Sequence, residues 1–282
     1  TLQGRSGFVN SIIFSPDGKT LASASDDCTV RVWDMSSTKT KRVYTGHVGG
    51  VKQIAFSPDG NGIVSASSDH SSGTANPVTE DSLRMIGIHS TEVVAAIYSP
   101  NGQMIATASP SKVRKYSAQS LSKRKSRMTD WTINCLAFSP DNALLYAGTR
   151  DGLVMTFTTT KLEVNSRVRA RKNSINALKY SPDGEIFATA SADHTIRLWE
   201  PGKSSHLKEL DGHSAEVNTV TFSPDGLLIA SGDTGGNIWI WDREAGVRLQ
   251  RLRWNHLRVT SLDFSPYLPL LVCAFKDRTI QV

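Results

Sequence analysis

Apolar and polar positions alternate from Val217 to Phe222. A Ser-Pro-Asp-Gly segment follows at Ser223 to Gly226, and a second apolar run from Leu227 to Ala230 ends at Ser231. Alternation at period two predicts a half-buried strand. Pro-Asp-Gly between two such runs predicts a turn, because proline presets φ and glycine accepts the positive φ that closes it. The pattern continues in a second form near the start of the chain. Thr20 to Ser25 reads as a strand, Asp27 as a turn, Thr29 to Asp34 as a third strand and Lys41 to Thr45 as a fourth, before Gly46-His47.

The Ser-Pro landmark recurs at Ser15, Ser57, Ser99, Ser139, Ser181, Ser223 and Ser265, so the period is 42 residues except for one interval of 40. A period of roughly 40–45 residues is that of a four-stranded propeller blade. The expected fold is all-β: a seven-bladed β-propeller of four-stranded antiparallel blades, forming a single domain over residues 1–282. Thr279 to Val282 align with a third strand, so the seventh unit has no fourth strand of its own. Thr1 to Gln3 align with the end of a fourth strand and are expected to supply it, closing the ring. This arrangement reads as a chain cut from a longer protein. Unit two carries Ser71 to Pro77 where a third strand belongs and is expected to keep its blade with a loose outer edge. Unit three, with Pro110 and Ser111 at its turn, and unit four, ending its third strand in Phe157, read as worn copies.

Trp33-Asp34, Trp199-Glu200 and Trp241-Asp242 close units, and Gly46-His47 and Gly212-His213 open them. On these residues the whole chain resembles the WD-repeat family. The regular arrays also resemble, at the level of fold, the sensor ends of large NACHT-type signalling NTPases. The family resemblance implies a buried chain of hydrogen bonds in each unit, joining the opening His, a Ser or Thr, the turn Asp and the closing Trp. Unit two offers His47, Ser65 and Asp69, with Ala75 for Trp. Unit six offers His213, Ser231 and Trp241, with Gly235 for Asp. Units one and five offer Ser23, Asp27, Trp33 and Thr189, Asp193, Trp199, with Arg5 and Arg171 in place of His as ion-pair candidates. Unit seven has Asp277 with Cys273, and His256 one place out of step. Such sets also occur in hydrolases, but recurrence at the repeat period gives them a structural reading.

The resemblance further implies that three positions per unit face the narrower rim. These give Phe8, Asn10 and Asp26; Gly50, Lys52 and Ser68; Glu92 and Val94; Thr132, Asn134 and Arg150. The later units give Ser174, Asn176 and Ala192; Glu216, Asn218 and Thr234; Arg258, Thr260 and Lys276. Charges of both signs, several amides and an aromatic side chain suit a protein or peptide surface.

Composition narrows the remaining classes. No apolar run approaches the ~20 residues of a membrane-spanning helix. Cys28, Cys135 and Cys273 are odd in number and lie in unrelated units, which points to free thiols in a reducing, intracellular compartment. The net charge of +6 is concentrated in three outer-strand groups: Lys112 to Arg127, Arg167 to Lys172 and Arg248 to Arg253. These groups discourage edge-to-edge pairing. They also leave open nucleic-acid or anionic-lipid contact, although aromatics for base stacking are scarce there. Gly18-Lys19-Thr20 lacks the earlier glycine of a phosphate loop, and no metal-ligand spacing occurs, so neither cofactor nor metal is expected. The expected function is a non-catalytic scaffold that binds a protein or peptide through its rim. Wall-mediated binding is the alternative, and an enzyme the more distant one.

Overall fold

The computed structural model describes residues 1–79, 82–253 and 257–282, and His256 lies outside them. The described residues form 27 strands and no helix. Six sheets have four antiparallel strands in sequential order, and the seventh has three. Each sheet is one sequence unit, and the innermost strands pack side by side around a central channel. The Leu2 N–H donates to the Ile280 carbonyl at 2.8 Å, giving the seventh blade a single bridge in place of a fourth strand. Leu2 is 2% exposed and sits among Val9, Trp33, Val272 and Ile280.

The Ser-Pro-Asp-Gly segments fold as their chemistry dictates. Ser15 Oγ donates to Asp17 Oδ1 at 2.6 Å and accepts from the Thr20 N–H at 3.0 Å, while Gly18 takes φ 68°. Ser57 with Asp59, Ser139 with Asp141, Ser181 with Asp183 and Ser223 with Asp225 repeat the arrangement. The core lies between blades. Small residues of one blade's middle strands, such as Ala22 and Ala24, receive Val51, Ile54 and Phe56 of the next.

In blade two, Ser71–Ala75 is a regular strand buried along its length, and Arg84–Ile88 pairs with it from Ser71 to Thr74. The strand tolerates Ser and Gly because Thr74 Oγ1 donates to the Ile63 carbonyl at 2.8 Å. Its register shift at Ser72/Gly73 has counterparts between the third and fourth strands of blades one, three, four, five and six. The outer strand thus pairs over four residues. Blade three, despite its shorter turn, has all four strands.

Candidate functional site at the channel mouth

The first strands of six blades share an irregularity that determines what one end of the channel presents. Register breaks between Val9 and Ser11, Val51 and Gln53, Ile133 and Cys135, Ile175 and Ala177, Val217 and Thr219, and Val259 and Ser261. The skipped residues are Asn10, Lys52, Asn134, Asn176, Asn218 and Thr260. A bulge frees one residue from the ladder and re-aims its side chain. Here the freed side chains converge on the mouth of the channel. With Asp26, Arg258 and Lys276 they line a cavity of 460 Å³.

Most of these side chains also tie blade to blade. The Nδ2 groups of Asn10, Asn134, Asn176 and Asn218 donate to the carbonyls of Val51, Ile175, Val217 and Val259 at 2.9, 3.1, 2.9 and 3.0 Å. Thr260 Oγ1 closes the ring by donating to the Val9 carbonyl at 2.7 Å. Lys52 occupies the same bulge without that reach, and its Nζ lies 3.2 Å from Asp26 Oδ1, which also accepts from Asn10 Nδ2 at 2.7 Å. Arg258 Nη2 donates to Asn218 Oδ1 at 2.9 Å, and Lys276 Nζ lies 5.5 Å above the exposed Phe8 ring. Backbone bonds bring the outer rim residues to this end: Asp26 to Phe8, Ser68 to Gly50, Arg150 to Thr132, Ala192 to Ser174, Thr234 to Glu216 and Lys276 to Arg258. Glu92, Arg150 and Glu216 are exposed beyond the mouth, and the Ser68 hydroxyl is turned back to the Gly50 carbonyl.

Behind the rim, buried polar side chains bond to one another within each blade. His47 Nδ1 is 2.9 Å from Asp69 Oδ2 and Nε2 is 2.8 Å from Ser65 Oγ, with Ser65 fully buried. Burial raises the Asp69 carboxyl pKa, but bonds from Ser71, His47 and two N–H groups outweigh it and hold the group below its ordinary range. Arg takes the histidine's place in two blades. Arg5 Nη1 reaches Asp27 at 2.9 Å, and Arg171 Nη1 reaches Asp193 at 2.7 Å. Trp33, Trp199 and Trp241 donate from Nε1 to Ser23, Thr189 and Ser231 at 2.7, 2.9 and 2.8 Å.

Blade six departs from the positional reading. Gly235 stands where the turn Asp was expected, yet Asp233, two residues earlier, meets His213 Nδ1 at 2.8 Å while Ser231 meets Nε2 at 2.7 Å. Asp233 also accepts from Gly235 N–H and Asn237 N–H, both at 2.9 Å. Burial raises its pKa, and the bonds from His213 and Asn237 bring it below the ordinary value. In blade seven, Asp277 accepts from Thr279 at 2.9 Å, and burial pushes the Cys273 thiol up to about 12. In blade three, His89 follows Ile88 in place of the usual Gly and joins Thr107 Oγ1 through Nε2 at 2.8 Å.

The far end of the channel is mainly apolar, with one charged staple. Asp263 Oδ2 accepts from the Phe14 N–H at 2.8 Å across the seam between blades seven and one. Burial raises its pKa to about 6, with Lys179 opposing the shift. No group of three or more His, Cys, Asp or Glu that could hold a metal ion occurs among the described residues.

A segment of 47 residues is 45% identical to the probable E3 ubiquitin ligase complex SCF subunit sconB of Talaromyces stipitatus, covering 17% of this chain and 7% of that protein. The counterpart from Aspergillus terreus is 43% identical over 47 residues, with the same coverage of both chains. The Emericella nidulans counterpart is 42% identical over 48 residues, again with 17% and 7% covered. The match thus spans only a small part of each curated relative. The family model described as "WD domain, G-beta repeat" matches residues 1–34, 38–71, 122–157, 163–200, 204–242 and 246–282. With seven propeller blades and six matched repeats, the chain belongs to the WD-repeat family.

Proposed function

We propose that this chain is a non-catalytic, intracellular scaffold that recognises a protein or peptide at the channel mouth. The ring of six bulged residues carries the reading. It presents Lys52 and Thr260 with the amides of Asn10, Asn134, Asn176 and Asn218 on a frame already fixed by bonds between blades. A partner meeting such a surface orders few groups on binding, which lowers the cost of association. Phe8 and Arg258 supply the aromatic and guanidinium anchors that dominate protein interfaces. Membership of the WD-repeat family supports a protein-interaction role, and the matched segments of SCF complex subunits support a place in an assembly. The His-Ser-Asp sets support the non-catalytic reading, because the serine hydroxyls are buried within the networks and no substrate reaches them.

Affinity purification with quantitative mass spectrometry tests the assignment, comparing wild type with a rim variant (Phe8→Ala, Lys52→Glu, Arg258→Glu) and a wall variant (Lys123→Glu, Lys125→Glu, Arg169→Glu). The expected result is specific partners lost from the rim variant and kept by the wall variant. Partners retained by the rim variant would exclude the mouth.

A further inference from the structure

The two outer strands of blade three, Lys112–Ser117 and Lys123–Met128, carry Lys112, Arg114, Lys115, Lys123, Arg124, Lys125 and Arg127, and no acidic residue lies from 112 to 128. The terminal strand is exposed at all six positions. Lys115 and Lys125 are direct cross-strand partners, an arrangement that destabilises a sheet. Burial, then Lys125 and Arg124, holds the Lys115 ammonium pKa below its ordinary value. Lys115 Nζ turns to the Thr159 and Thr160 carbonyls of blade four, and several cations elsewhere on the wall have carboxylate or aromatic partners. Arg197 pairs with Glu209 at 2.5 Å, Arg248 and Arg251 lie over Trp239, and Arg167 lies 4.3 Å above Trp131. Among the described residues, no carboxylate pairs with any of the seven cations of blade three.

The same imbalance continues inward. His89 is 3% exposed, and its Nδ1, the atom that bonds Asp69 or Asp233 through the histidines of blades two and six, has no partner. Thr107, which holds the other nitrogen of His89, pairs directly with Arg114. The turn that should supply the carboxylate is Pro110-Ser111. Edge protection requires a charge on the terminal strand. It does not account for a buried ring nitrogen left without a partner beneath that strand.

We propose that blade three receives an extended acidic segment of a partner protein along Lys123–Met128, with one carboxylate seated at Lys112 and Arg114 above His89. The terminal strand has a free backbone edge, which is what an added strand requires. Lys125 and Arg127 share one face of the strand, roughly 6.7 Å apart, while the register shift at Arg124 turns Lys123 to the other face, so acidic side chains on both faces of an incoming peptide meet a cation. Nucleic acid finds no exposed aromatic on these strands, Tyr116 being 1% exposed, and a lipid surface finds only Met128 as a large exposed apolar group.

The test is fluorescence anisotropy with a labelled peptide of alternating glutamate and valine, about ten residues long. Oligothymidylate and phosphatidylserine vesicles serve as competing probes. The wild type is expected to bind the peptide. At least tenfold weaker binding is expected both for Lys112→Gln with Arg114→Gln and for Lys125→Gln with Arg127→Gln. Lys52→Glu with Arg258→Glu leaves the affinity unchanged. N-methylation of alternate peptide nitrogens on the pairing edge weakens binding tenfold or more. Peptide titration into the ¹⁵N-labelled wild type shifts the His89 ring signals, a readout that does not depend on variants folding. Equal binding by wild type and the blade-three variants, no shift at His89, or binding of oligothymidylate or vesicles but not peptide overturns the proposal.

Discussion

Replacing Asp233 with alanine gives a direct test of the buried polar networks. The Asp233 side chain is 0% exposed and accepts from His213 Nδ1, Gly235 N–H, Asn237 N–H and Asn237 Nδ2 at 2.8 to 3.1 Å. Truncation strips the acceptor from all four donors at once. Each buried, unsatisfied donor costs about 1–3 kcal/mol, so four lost partners sum to about 4–12 kcal/mol. Water entering the space left behind offsets part of the larger sum, so the expected loss is about 3–5 kcal/mol, or roughly 6–20 °C in Tm. Urea unfolding followed by tryptophan fluorescence reports it locally, because the Trp239 and Trp241 rings lie 6.3 and 6.0 Å from the His213 ring. The carboxyl's folded-state pKa is depressed. Its contribution is therefore present above the unfolded value of about 3.9 and is lost as pH falls through the folded value, so the gap between wild type and variant narrows in acid. Glu216→Ala, at an exposed rim position, is the control and should stay within about 0.5 kcal/mol. A loss below about 1 kcal/mol for Asp233→Ala would refute the reasoning from unsatisfied donors.

Other consequences follow from the same geometry. Leu2→Ala should cost about 2–5 kcal/mol by opening the seam core around Trp33 and Val272, measured by thermal unfolding. Asn218→Ala removes two bonds between blades six and seven and should cost about 1–2 kcal/mol in urea unfolding, with the mouth loops exchanging amide hydrogens faster. Asp263 has a raised folded-state pKa of about 6, so its contribution is fullest below the unfolded value and is lost as pH rises through 6. Asp263→Asn should therefore gain on the wild type as pH rises from about 4 to about 6 and keep that gain above it, by at most about 3 kcal/mol, as read by urea unfolding at each pH. Cys28 should react with a thiol reagent well before Cys135 and Cys273, both buried and with thiols pushed up to about 12; equal rates by mass spectrometry would contradict the packing.

The repeat, the blade count and the closing role of the first residues were legible because turn chemistry and apolar alternation recur at fixed spacing. Asp233 was not, because a positional comparison looks for the carboxylate in the turn. The side chain reaches the same histidine from the strand end, and the nearby Asn237 that supports it was the available signal. The bulges left a trace that a strict period-two reading overlooks. Val9, Ile12 and Phe14 are buried at intervals of three and then two, as are Val217, Val220 and Phe222. That change of phase marks the skipped residue, and hence which side chain enters the channel. The bonds of Asn10, Asn134, Asn176 and Asn218 to the next blade depend on neighbours about 41 residues away and carry no local pattern. For His89, the replacement of Gly by Ile88 hid the opening position, although its spacing before Thr107 equals that of His47 before Ser65.

The central claim is that partners dock at the channel mouth, and hydrogen–deuterium exchange of the chain with and without a recovered partner tests it most directly. The account predicts protection at 7–10, 48–52, 257–260 and 276–277 on binding. Unchanged exchange in these segments, with protection confined to the outer strands, would contradict it.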